Sequence, residues 1–326
     1  MPNGYGLDVA TAYLSLERGD GTIGRIAYDD CGRGPLAVLV PGIGVPRTSF
    51  RHLTPLLVDD GYRVITVDYR GLGESDTGWD EYSSAATARD LIALLHHAAG
   101  GPALLYCTSY AAAAAVHVAV DAPELLRGAV LVAPFVHDVA EPDPVARIVD
   151  RLTTVPRFTR RLWMSRFPRM YPRPPADYAD FRDEVDDNLR EPGRAAVLAR
   201  MCASTHAPAL TRLSEAAAGG IPFLVAMGTA DAVFPDPPAE AQWIGQALSA
   251  PVRMIAGAGH HPHEDAPQRI ALLIEQFDQG VPRTPAFARG QRAGAHSRAG
   301  RRPWPPDAAA SARDRPQAGA DGVRTD

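Results

Sequence analysis

The chain has 326 residues, 46% of them hydrophobic, with 33 arginines, no lysine, 38 acidic residues and a formal net charge of −5. That is enough apolar material for a large core, yet the run of about 18 apolar residues needed to span a bilayer occurs nowhere. The charge is uneven: residues 1–282 carry 24 Arg against 34 acids and residues 283–326 nine Arg against four Asp, an acidic body that argues against a nucleic-acid partner.

Residues 22–28 read as an early strand, followed by a polar, glycine-rich turn over residues 29–35. Residues 36–40 are continuously apolar, as in a strand buried on both faces. They end at Pro41-Gly42-Ile43-Gly44-Val45-Pro46, too rich in Gly and Pro to be helical. Thr48 or Ser49 then caps a helix to about Asp60, and residues 63–67 form the next strand, closed by Asp68-Tyr69-Arg70-Gly71-Leu72-Gly73-Glu74-Ser75. Residues 84–99 are helical, with Leu91, Leu94 and Leu95 on one face, and residues 128–133 are another buried strand. Strict alternation of strand and helix means a parallel sheet covered on both faces, which binds ligands at the carboxyl ends of its strands.

Between them lies Leu104-Leu105-Tyr106-Cys107-Thr108-Ser109-Tyr110-Ala111-Ala112 and an alanine-rich run to Val120. An apolar run, one polar break and then strong helix formers predict a strand, a tight turn and a helix, with Ser109 at the apex. The first N–H groups of that helix have no intrahelical partner and face whatever binds beside the serine. Such a turn suits a nucleophile that forms and then stabilises a negatively charged tetrahedral intermediate. Its usual form is Gly-x-Ser-x-Gly, because the backbone is crowded on either side of the serine. Here it is Cys-x-Ser-x-Ala, small at both positions but without glycine.

After Pro134 the alternation breaks. Residues 135–211 hold no convincing strand, much proline and a band of aromatics: Phe158, Trp163, Phe167, Tyr171, Tyr178 and Phe181; residues 187–203 read as one helix. The pattern resumes with a strand at 221–227, a helix near 239–248, a strand at 252–255 and a last helix at 267–277. Two of these strand ends supply what a serine nucleophile needs, a base and an acid to orient it. One carries Gly228-Thr229-Ala230-Asp231, the other Gly257-Ala258-Gly259-His260-His261-Pro262-His263.

The order Ser, Asp, His and the motifs around it resemble the lid-bearing α/β-hydrolase superfamily, over about residues 22–277. Pro41-Gly42-Ile43-Gly44 is similar to the family's oxyanion loop, and residues 68–75 to its Asp-x-Arg-Gly-x-Gly-x-Ser turn. The resemblance implies an α/β fold with a mostly parallel central sheet and a mostly helical lid. Its parts are core over 1–134, lid over 135–211, core over 212–282 and a disordered tail over 283–326. It further implies Ser109 as nucleophile, His260 as base and Asp231 as acid, with the N–H groups of Tyr110 and Ile43 as oxyanion donors. His261 and His263 are rivals of His260, and Asp138 of Asp231; Cys107 sits too early in the strand to be the nucleophile. Phe135, Trp163, Phe167 and Val233 are candidate substrate-binding residues. Pro41 stands where the family commonly has histidine, which removes one donor from the loop's support.

Serine at the elbow argues against epoxide hydrolase and dehalogenase chemistry, which the family performs with aspartate, and points to acyl chemistry. The expectation is an esterase-type serine hydrolase acting on a small to medium hydrophobic substrate, with no metal or cofactor. Carbon–carbon bond hydrolysis, peptidase or lyase chemistry with the same triad is the alternative, as is binding without turnover. Three widely spaced cysteines (Cys31, Cys107, Cys202) suggest neither a disulfide framework nor a zinc site. Residues 1–20 lack a basic-then-apolar leader, so the expected compartment is the cytoplasm. Composition does not address oligomeric state.

Overall fold

In the computed structural model, which describes residues 9–138 and 144–281, eight strands form one sheet in the order β1-β2-β4-β3-β5-β6-β7-β8. The strands are β1 (Thr11–Glu17), β2 (Ile23–Gly32), β3 (Leu36–Val40), β4 (Arg63–Val67), β5 (Ala103–Thr108), β6 (Leu126–Val132), β7 (Phe223–Gly228) and β8 (Val252–Ile255). From β3 onward all pairings are parallel, while β1 and β2 join antiparallel at one edge. The chain steps from β3 outward to β4 and then returns to β5 on the other side of β3. The carboxyl ends of β3 and β5 therefore flank the topological switch point, where open α/β sheets place their ligands.

Strand parity divides the core in two. Leu105, Cys107, Leu131, Val225 and Met227 face a cluster that includes Leu91 and Leu94 of α2 (Ser84–Ala98) and Ala111 to Ala115 of α3 (Ala111–Asp121). Leu104, Tyr106, Val130, Leu224 and Ala226 face the opposite cluster, with Leu53 and Leu57 of α1 (Leu53–Asp59). Burying each such aliphatic side chain contributes about 1.5–3 kcal/mol. The five alanines opening α3 are wholly buried, so small side chains bring this helix close against the sheet.

The edge strands depart from the sequence reading. β1 was not anticipated; its alternating Ala12, Leu14 and Leu16 turn toward the core. β2 runs on through Asp29 to Gly32, the stretch expected to be a turn. Its carboxylates are neutralised there, Asp29 by Arg47 and Asp30 by Arg63, so charge does not expel it from the sheet.

Between Val132 and Phe223 the described residues contain no strand. They form α4 (Pro144–Thr153), α5 (Pro156–Arg166), α6 (Tyr178–Arg190), α7 (Arg194–Cys202), α8 (Ala207–Leu210) and α9 (Leu213–Ala218). The single helix expected over 187–203 is instead two. Pro192 cannot continue α6, and Gly193 takes φ 85°, a left-handed conformation that L side chains avoid. Later come α10 (Pro237–Ala247), α11 (Pro262–Asp265) and α12 (Pro267–Gly280), the last completing the second core through Ile270 and Ile274. No helix of the described residues is long and apolar enough to cross a membrane. The tail expectation over 283–326 lies outside the described residues.

Candidate active site

Ser109 follows β5 directly and takes φ 55°, strained for a residue with a Cβ. The conformation is held from both sides. The Ser109 N–H donates to the Val132 carbonyl at 2.8 Å, and the Ser109 carbonyl accepts from Phe135 at 3.1 Å and Ala112 at 3.0 Å. Cys107 and Ala111, which stand where glycines are usual, are both fully buried. Burial also pushes the Cys107 thiol well above its usual range, which suppresses the thiolate a cysteine nucleophile needs.

His260 and Asp231 reach Ser109 from the ends of β8 and β7. The His260 Nε2 lies 2.9 Å from Ser109 Oγ, and its Nδ1 lies 2.8 Å from Asp231 Oδ2. The other Asp231 oxygen accepts the Val233 N–H at 2.9 Å. All three residues are buried. The acid and histidine loops touch through backbone: Ala230 N–H donates to the Ala258 carbonyl at 2.9 Å. A Cβ on Gly228 would come within 2.2 Å of the Gly259 carbonyl oxygen, and one on Gly259 within 2.3 Å of the Met170 carbonyl oxygen. The glycines before the acid and the base are thus demanded by close approach. None of the rivals is hydrogen-bonded to Ser109 or His260: Asp138 pairs with His206 at 3.1 Å, and the buried ring nitrogens of His261 and His263 have no hydrogen-bond partner among the described residues.

Val40 pairs with Cys107, so the loop after β3 lies alongside the elbow. A Cβ built on Gly42 would lie 3.5 Å from the Ser109 Cβ and 3.4 Å from His261 Cε1. Ile43, one residue on, is partly buried against the core, and Tyr110 opens the approach to α3. The donor lost with Pro41 has a substitute, since the Tyr69 hydroxyl donates to the Pro41 carbonyl at 2.7 Å. Beyond the loop, the buried Asp68 accepts the Arg47 N–H at 2.7 Å, the Arg47 guanidinium and the Glu74 N–H at 2.9 Å. The 68–75 turn is therefore a brace behind this loop. Trp163 covers Gly44 so closely that a Cβ there would meet its ring at 2.6 Å.

Of the other candidate substrate-binding residues, Phe135 lies with its ring 6.4 Å from that of His260 and 4.7 Å from that of Phe234. Val233 is partly buried beside the acid. Phe167 is fully buried among Tyr171, Tyr178 and Phe181. Tyr171 stacks in turn on His261, which places Phe167 in the helical layer, three rings removed from His260. Sequence reasoning missed Phe234, whose ring is 6.0 Å from that of His260. Its place three residues after the acid was the available signal.

His261, His263 and Glu264 bring potential ligand atoms within 4.8 Å of one another. Both Glu264 oxygens are already engaged, one by Arg51 and one by Tyr171, each at 2.8 Å. A cation there would have to displace a guanidinium, so the donor set does not suit a metal ion. Burial pushes the Glu264 carboxyl up to about 7, against the opposing pull of Arg51 and Tyr171. An open cavity of about 440 Å³, lined by Ile221, Pro222, Phe223, Leu248 and Phe277 among others, lies at the opposite end of β7 from the acid and takes no part in the site.

A model of the family described as the alpha/beta hydrolase family matches residues 37–272. The 2-(acetamidomethylene)succinate hydrolase of Mesorhizobium japonicum is 27% identical over 284 residues, covering 83% of this chain and 97% of that protein. BpoC of Mycobacterium tuberculosis, which carries the name of a non-heme bromoperoxidase, is 36% identical over 110 residues. That match spans 33% of this chain and only 42% of BpoC. Among solved structures, a thermophilic esterase from Thermogutta terrifontis superposes with a TM-score of 0.66 at 23% identity, covering 82% of this chain and 98% of that one. This last likeness speaks to the fold.

Proposed function

The chain belongs to the alpha/beta hydrolase family, and on that premise we propose that it is a serine hydrolase cleaving a carboxylic ester or related acyl bond. The observation that carries the reading is the hydrogen-bonded series Ser109 Oγ, His260 Nε2, His260 Nδ1, Asp231 Oδ2, with contacts of 2.9 and 2.8 Å.

Asp231 is an acceptor, so it selects the tautomer with the proton on Nδ1 and leaves Nε2 free to take the serine proton. As Ser109 Oγ attacks the carbonyl carbon, His260 becomes an imidazolium stabilised by Asp231. The developing oxyanion is received by the N–H groups of Tyr110 and Ile43. Collapse of the intermediate expels the alcohol, which leaves with the proton from His260. Water then attacks the acyl-enzyme with His260 again as base. Every step uses the chain's own groups and water, so this reading calls for no cofactor.

Phe135, Phe234, Trp163 and Val233 make apolar walls near the serine, which favours a small to medium hydrophobic substrate. Residues 135–211 serve in this reading as a lid. The cysteines Cys31, Cys107 and Cys202 are unpaired, in keeping with a reducing compartment such as the cytoplasm. The Mesorhizobium relative, whose name gives an acylated amine as substrate, favours acyl amides as the second reading.

The test is hydrolysis of p-nitrophenyl esters of graded acyl length by wild type and Ser109→Ala, with fluorophosphonate labelling of both. Turnover and labelling that vanish together in Ser109→Ala support the reading. Turnover that survives the substitution overturns it, and an unlabelled, inactive wild type points to binding without chemistry.

A further inference from the structure

A second Asp–His pair stands beside the first. Asp138, six residues beyond the end of β6, accepts the His206 N–H at 2.8 Å, approaches its Nδ1 at 3.1 Å and takes the Thr205 hydroxyl at 2.5 Å. The His206 ring packs at 5.2 Å from that of Tyr110, the residue after the serine, and 5.8 Å from that of Phe135, which in turn neighbours His260. His206 thus packs against two residues that neighbour the serine and His260, and it is held there by Asp138, a half-exposed carboxylate just beyond β6.

The pairing fixes the chemistry of the far nitrogen. Burial would raise the Asp138 carboxyl, but the hydrogen bonds from Thr205, the His206 N–H and the ring outweigh it and keep it ionised. An ionised carboxylate only accepts, so Nδ1 carries the proton. Burial, only partly opposed by Asp138, disfavours the imidazolium. The Nε2 of His206 is then a lone-pair acceptor, buried and without a partner among the described residues. A buried acceptor with no partner is destabilising, and Asp138 holds the ring in the one tautomer that creates it.

We infer that His206, oriented by Asp138, is a specificity-determining residue that accepts a hydrogen bond from a hydroxyl or amide N–H carried by the substrate near its scissile carbonyl. This rests on the reading of Ser109 as the reacting centre, because that places the substrate against Tyr110 and Phe135. The apolar walls then hold the bulk of the substrate and His206 selects among acyl groups of similar size by one donor. A site built around a hydrogen-bonding group discriminates against analogues lacking the donor, because its own polar atom is then left unpaired.

The experiment separates binding from turnover. Dissociation constants are measured by calorimetry on Ser109→Ala for p-nitrophenyl butanoates bearing a hydroxyl, methoxy or methyl group at carbon 2 or 3. The hydroxy ester of one position is expected to bind about tenfold tighter than its methyl counterpart. The methoxy ester, which can only accept, gains nothing. Adding His206→Phe should bring the ratio to about one, and adding His206→Gln, which keeps an acceptor, should retain part of it. Should the Phe variant not fold, nitrogen-15 spectra of the histidines in Ser109→Ala decide: the Nε2 resonance moves with the hydroxy ester and not with the methyl one. Equal affinities, absent binding, or a preference that survives His206→Phe overturn the inference. A wild type that turns over none of these esters, while the preference holds, overturns the Ser109 reading and leaves His206 standing.

Discussion

The Tyr69 hydroxyl donates to the Pro41 carbonyl at 2.7 Å, and Tyr69 is only 3% exposed. It ties the end of β4 to the start of the loop that carries Ile43. Tyr69→Phe keeps the packing but leaves that carbonyl without this donor, a loss of about 1–3 kcal/mol if water does not replace it. In the proposed mechanism the loop sets where the oxyanion donor Ile43 sits, so kcat for an activated ester should fall about tenfold with KM little changed. Urea unfolding and steady-state kinetics on the purified variant check the two parts separately.

Gly228 and Gly259 approach so closely that a Cβ on the first would stand 2.2 Å from the carbonyl oxygen of the second. Gly228→Ala must therefore push the Asp231 turn away from the His260 loop. Overpacking of this kind costs about 1–3 kcal/mol. A displacement of the acid or base by about 1 Å costs about a hundredfold in rate. The variant should stay folded by circular dichroism and lose at least that much esterase activity; unchanged activity would show that the loops yield without moving the pair.

The parallel sheet and its crossover helices were legible because β3, β5, β6 and β7 are buried on both faces and so read as unbroken apolar runs. Ser109, Asp231 and His260 were legible because each sits where a strand ends in a small-residue turn. What escaped was the part built from long-range pairing. β1 is an edge strand with one buried face and a weak pattern, and Asp29 and Asp30 look like turn residues until Arg47 and Arg63 are placed beside them. The break between α6 and α7 was written in Pro192-Gly193 and was passed over for the helical period on either side. Phe234 was marked only by its place three residues after Asp231, and Tyr69 and His206 carry no local signal of a role, because their importance comes from neighbours far away in the chain.

Arg51 binds three parts of the fold together. Its Nη1 meets Glu264 at 2.8 Å, its Nε and Nη2 meet Asp177 at 2.7 and 2.9 Å, and its guanidinium lies over the Phe181 ring. The two arms differ in weight. Asp177 is 37% exposed on its side chain while Glu264 is fully buried, so solvent screens the first contact and not the second. Asp177→Asn should therefore cost less than about 1 kcal/mol. Arg51→Met strands a buried carboxylate and should cost about 3–5 kcal/mol, and pairing it with Glu264→Leu should recover most of that. Urea midpoints of the three variants test the ordering; equal losses for Asp177→Asn and Arg51→Met would refute it.

His263 is fully buried against Phe50 and Tyr106. Burial first, and then the charges of Arg51, His260 and His52, push it from its ordinary 6.5 down to about 3. Between those values the unfolded chain binds a proton at this position and the folded chain does not. Stability from His263 is thus fully present above about pH 6.5 and is lost as the pH falls toward 3, by up to about 1.4 kcal/mol per pH unit. The carboxyls of Glu264 and Asp265, raised by burial to about 7 and about 6, act in the opposite sense. Each is more stabilising protonated, and that contribution fades as pH rises through its folded value. A comparison of variants isolates the histidine from them. In His263→Leu, of similar volume, the proton uptake on unfolding disappears, so unfolding free energy between pH 6.5 and about 3.5 should decline less steeply than in wild type. Urea unfolding at half-unit pH steps measures the two slopes. Parallel slopes would mean that His263 already carries its proton in the folded protein, and burial without a partner would then be the wrong account of its surroundings.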